Sequence, residues 1–93
     1  MEHRFLIHKR GDHVGVAVAD IAAGERVVGI HMDDDSPLEV EAVDPVPLGH
    51  KIAVAPAGDG DDVVEYGIRI GLATGGFGTG AHVHTHNLRS ARW

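Results

Sequence analysis

The chain has 93 residues, 43% of them hydrophobic, and its 14 acidic and 8 basic side chains give a formal net charge of −6. A domain this short holds one core and buries only about 60–65% of its unfolded surface, so residues 1–93 are read as a single domain whose site is shared with a partner. The acidic balance disfavours nucleic acid and anionic membranes as partners, and the absence of cysteine excludes disulfides and thiolate zinc sites.

In chain order, the first apolar run is Phe5 to Ile7, short of the roughly 7–15 residues of a secretory signal core. The expected location is therefore the cytoplasm. No run nears the ~20 apolar residues that cross a bilayer. Alternation and β-branched content predict strands near 4–8, 14–19, 26–32, 38–43, 51–55, 62–66 and 81–86, each bounded by Gly, Pro or Asp. Only four residues are aromatic, so Val, Ile, Leu and Ala must build the core, which suits an all-β fold. One helical turn is possible at Asp20 to Ala23, and Gly24 stops it. Little helix is expected.

Gly24, Gly60 and Gly80 each stand three residues ahead of a valine that opens a predicted strand. The match is loose, but it reads as a turn-then-strand unit used three times. Asp33-Asp34-Asp35-Ser36-Pro37 is a solvated turn, because it lacks the glycine and distal glutamate of a calcium loop. Gly75-Gly76-Phe77-Gly78-Thr79-Gly80 lacks the Lys-Ser/Thr ending of a phosphate loop. It is either a plain turn or a loop that closes over a ligand.

Histidine is the outlier, with eight copies. His82, His84 and His86 alternate, so a straight strand projects all three from one face at about 6.6–6.8 Å spacing. Two neighbours reach one ion; the outer pair, about 13 Å apart, needs a bend, since metal–nitrogen bonds are about 2.0–2.1 Å. Neutral imidazole also suits a proton carrier, and a polar exposed face remains the bland alternative. Asn87 follows, able to orient a hydroxyl or simply to form a turn. His50 and Lys51, entering a strand, face opposite sides; one is placed to meet a substrate acid group, or both are ordinary polar residues. His13 joins the other histidines only if the fold brings its turn to them.

HKRGDHVGVAVADI at 8–21, DPVPLGHKIAV at 44–54, VVEYGIRIG at 63–71 and HVHTHNL at 82–88 together resemble the altronate and galactarate dehydratase family. Within it they are most similar to the small SAF domain, which is fused ahead of the catalytic portion in some members and is a separate subunit in others. PLGHK and HVHTHN, in this order, are the specific parts. GGFGTGA departs from the less glycine-rich turn of relatives. The opening FLIHKRGDHVGVAV and the basic tail 89–93 look most like the free-standing small subunits of sulfolactate-cleaving members, with altronate dehydratases next.

The resemblance implies a β-clip fold, a divalent metal (iron(II) first, manganese second), a small hydroxy-acid substrate and a larger catalytic lyase chain as partner. The chemistry so implied removes a proton α to a carboxylate and expels water or sulfite from the β carbon. His82, His84 and His86 are assigned to the metal or to proton transfer, with His84 counted in both roles. His50, Lys51 and Asn87 are assigned to the substrate's acid and hydroxyl groups. The alternative is a non-catalytic SAF-type binding or assembly module, and a homo-oligomer is allowed for the isolated chain. Trp93 is expected either to cap the core or to dock on the larger chain.

Overall fold

Four glycines with φ between 83° and 91° recur along the chain in the computed structural model, which describes residues 3–90. Each stands three residues before a fully buried aliphatic side chain: Gly24 before Val27, Gly49 before Ile52, Gly60 before Val63 and Gly80 before Val83. The left-handed conformation, open to glycine without a Cβ penalty, reverses the chain so that the third residue enters the core. Gly11, with φ 93°, stands the same way before Val14, so the three-copy repeat visible in the sequence is a five-copy structural unit. One of the two added copies, Gly49 to Ile52, carries His50. Two isolated bridges, Ile21 with Val46 and Ala57 with Phe77, tie the arches together in pairs.

The described residues form nine short strands: β1 Phe5–Ile7, β2 Val14–Ala17, β3 Arg26–His31, β4 Pro37–Glu41, β5 Lys51–Ala53, β6 Asp62–Glu65, β7 Ile68–Ala73, β8 His82–Val83 and β9 Leu88–Ser90. They form a six-stranded sheet in the order β4-β3-β1-β2-β5-β8 and a three-stranded sheet β6-β7-β9. Only β1 and β3 run parallel; the other pairs are antiparallel. The described residues contain no helix, in agreement with the all-β expectation.

Two apolar clusters fill the interior. Phe5, Ile7, Val27, Val40, Val46 and Ile52 belong to the first, and Val14, Ala53, Val63, Ala73 and Val83 to the second. Strand β5 divides them, because the pleat sends Ile52 to one side and Ala53 to the other. Phe5, the large aromatic of the first cluster, lies where a Cβ on Gly29 would be, 2.1 Å from its ring. That contact fixes β1 against β3.

Two sequence expectations are corrected, and one left open is decided. Strands β7 and β9 were not predicted: Gly71 interrupts the alternation of the first, yet only glycine fits there, a Cβ falling 2.2 Å from the Arg89 carbonyl. The strand expected over 81–86 ends at Val83, and residues 84–87 form a turn. The glycine-rich stretch 75–80 is not a free lid. Phe77 exchanges backbone hydrogen bonds of 2.8 and 3.0 Å with Ala57, and Gly80 sits on the Glu41 carbonyl, 2.0 Å from where a Cβ would be. The Asp33–Ser36 segment is a polar surface turn as expected, with Arg10 and Ser36 bonded to the Asp34 carboxylate. These bonds hold that carboxyl well below the usual carboxylate range. Trp93 lies outside the described residues.

Candidate functional site

Strands β5 and β8 pair with Lys51 opposite Val83 and Ile52 opposite His82. Continued by one residue, that register sets His50 across from His84, and their rings stack with centroids 4.6 Å apart. His82 is the diagonal neighbour, its Nε2 2.9 Å from His50 Nδ1. At that separation one ring donates the shared hydrogen and the other accepts it. Nitrogens of His50, His82 and His84 all lie within 4.8 Å of one another. The sequence did not place His50 with the alternating histidines, because the pair of arches that brings residue 50 to residue 84 is a tertiary contact.

The turn at residues 84–87 supplies the bend that three alternating histidines need. His82 and His86, about 13 Å apart on a straight strand, have ring centroids separated by 5.4 Å. The tight group of three nevertheless takes His50 in place of His86. Asn87 builds the turn: its Oδ1 accepts from the His84 backbone N–H at 2.9 Å, and its Nδ2 donates to the His82 carbonyl at 2.9 Å. The side chain is 7% exposed, so both ends of the amide are spent on backbone. Asp44 accepts from the His82 N–H at 3.0 Å and pins the start of the run.

Cis nitrogens on an octahedral ion with bonds of about 2.1 Å stand about 3 Å apart, close to the His50–His82 separation. These three imidazoles could together hold a divalent transition-metal ion. Burial lowers the pKa of His82, and the neighbouring His50, His86 and His84 lower it further against the pull of Asp44. A neutral ring is the form that ligates.

Lys51 faces the reverse side of β5, as alternation requires. It borders a cavity of about 670 Å³ with Glu65, Ile70, Val83, His84 and Leu88. His84 belongs to both sides of the ribbon, since it sits where the strand ends. Lys51 Nζ is 4.0 Å from Glu65 Oε1, and His8 Nε2 is 3.9 Å from Oε2. Glu65 was missed by the sequence reading, although it occupies the inward position after Val63 in the period-two pattern of β6. Burial pushes its carboxyl above the ordinary range, with Lys51 and His8 opposing and Asp12 adding to the rise. His13 stays away from the cluster: its Nδ1 accepts from the Val64 N–H at 2.9 Å and helps seat β6.

Residues 3–91 match the family model described as the altronate/galactarate dehydratase SAF domain. The chain belongs to that family. Among SAF-containing relatives, the (2R)-sulfolactate sulfo-lyase subunit alpha of Chromohalobacter salexigens is 37% identical over 90 residues, covering 96% of both chains. That of Paracoccus pantotrophus is 40% identical over 60 residues, covering 64% of this chain and 90% of the relative. The altronate dehydratase of Bacillus subtilis is 36% identical over 90 residues, and this SAF domain spans 17% of its length against 97% of its own. No helix among the described residues is long and apolar enough to cross a membrane.

Proposed function

We propose that this chain is the small subunit, or the SAF part, of a metal-dependent lyase that eliminates sulfite from (2R)-sulfolactate, working with a larger catalytic chain in the cytoplasm. The observation that carries the reading is the convergence of His50, His82 and His84 at ligand distances on the β5–β8 edge. Elimination of water from a sugar acid is the second substrate assignment. End-to-end similarity to a sulfo-lyase alpha subunit favours the first, since the altronate dehydratase is matched over a small fraction of its length.

His50 Nδ1, His82 Nε2 and a ring nitrogen of His84 would hold the ion, iron(II) or manganese. A bound divalent ion would supply Lewis acidity for the charge that builds on the substrate's carboxylate as the α proton leaves. His86, exposed and beside His82, is free to exchange protons with solvent. Lys51 offers its ammonium to an acid group from the cavity side, reached around His84. Asn87 is a positioning residue that fixes the backbone on which His82 and His84 stand. The larger chain supplies the enclosure that a domain of this size lacks.

Co-expression with a large lyase subunit from the same source, followed by assay of sulfite from (2R)-sulfolactate and of keto acid from altronate, tests the proposal. His84→Ala is expected to cut turnover of the assembled enzyme by about 10²-fold or more, and His50→Ala to remove metal from the chain. Undiminished turnover in His84→Ala would refute the site. Failure to assemble with any lyase subunit would favour a non-catalytic binding module instead.

A further inference from the structure

Glu65 is 2% exposed, yet its Oε2 accepts no hydrogen bond. Its two cationic neighbours, at 3.9 and 4.0 Å, are too far for hydrogen bonds, so the carboxylate is flanked by charge without being satisfied. Oε2 is closed off on the His8 side, so the oxygen within reach of a ligand is Oε1, on the side of Lys51, and it too accepts no hydrogen bond from any described residue. The cavity beside it, about 670 Å³, is within the range of small-molecule sites and far larger than one water. Its walls are divided by chemistry. Ile70, Val83 and Leu88 are apolar, whereas Lys51 and Glu65 lie side by side with opposite charge, and Arg89 adds a second cation to the lining.

We infer that this cavity is a binding site for a small hydroxy acid, in which Lys51 takes the ligand's carboxylate or sulfonate and Glu65 accepts the hydrogen of its hydroxyl. The inference deepens the lyase reading and rests on it for the choice of acid. A ligand with two acid groups and no hydroxyl would bring like charge against Glu65. A hydroxyl placed beside the acid group brings the donor that the fold does not provide. The acidic chain as a whole repels anions, so an acid must be recognised locally, by Lys51 with Arg89 as the second cation of the lining. Glu65 then sets specificity, because a site built to bind a hydroxyl discriminates against the analogue lacking it.

The test is an NMR titration of the full 93-residue chain with sulfolactate and with 3-sulfopropanoate, which lacks the hydroxyl. The wild-type chain is expected to prefer the hydroxy acid by at least about tenfold, with shifts at Lys51, Glu65 and Leu88. Glu65→Leu should erase the preference, weakening sulfolactate and tightening 3-sulfopropanoate as the like charge is removed. Glu65→Gln, which keeps an acceptor, should retain part of it. Lys51→Met should weaken both acids. A preference that persists in Glu65→Leu, or the absence of shifts with either acid, overturns the inference. Sulfite release by an assembled enzyme whose hydroxyl preference ignores Glu65 leaves the lyase reading standing and removes this one. A Glu65-dependent preference in a chain that supports no lyase activity does the reverse.

Discussion

Asn87→Ala isolates the contribution of one side chain to the histidine turn. The amide makes two hydrogen bonds of 2.9 Å, one to the His84 N–H and one to the His82 carbonyl. Each is worth about 1 kcal/mol net, and a backbone group left dry costs about 1–3 kcal/mol more. His84 is exposed, so water recovers part of its N–H, and the expected loss is about 2–3 kcal/mol. With a urea slope of about 1 kcal/mol/M for a chain of this size, the midpoint falls by about 2–3 M. The frayed turn also releases two of three ligand nitrogens from register, so the chain's affinity for manganese(II) drops by at least about tenfold. Thr85→Ala, an exposed change in the same turn, stays within about 0.5 kcal/mol of the wild type. Urea unfolding and a metal titration measure both effects. If Asn87→Ala matched Thr85→Ala in stability and metal affinity, the assignment of Asn87 as the holder of the turn would be wrong.

Gly80→Ala combines a φ of 91° with a Cβ 2.0 Å from the Glu41 carbonyl and is expected to cost more than about 2 kcal/mol, whereas Gly78→Ala, which meets open space, costs less than about 1 kcal/mol by thermal unfolding. Phe5→Ala empties the centre of the first cluster and should lose about 3–5 kcal/mol. The raised pKa of Glu65 means that its contribution to stability is complete below its ordinary 4.5 and is lost as pH rises through the higher folded value; Glu65→Gln should remove that decline, leaving the variant relatively more stable at pH 7 than at pH 4. The lowered pKa of His82 has the opposite sense: its contribution is complete above 6.5 and is lost as pH falls through the folded value. Urea midpoints between pH 8 and pH 4 report both slopes.

The all-β class, the polar turn at 33–36 and six of the strands, β1 to β6, were legible in the sequence, because hydrophobic alternation, Gly and Asp act within a few residues. The family was legible too, through PLGHK and HVHTHN. The alternating histidines identified two members of the three-histidine cluster and fixed the need for a bend. Their third partner was not legible: His50 reaches His84 only because two arches, each a glycine three residues ahead of a buried aliphatic, bring β5 and β8 side by side. Asn87 looked like a substrate ligand or a turn former, and only the burial of its amide against the His82 and His84 backbone decided for the turn. Glu65 carried a local signal, a charge at an inward position, but whether such a charge is paired depends on residues 8 and 51, more than ten positions away. Local chemistry thus determined which residues were capable of binding and where the chain turns; long-range packing decided which of them meet.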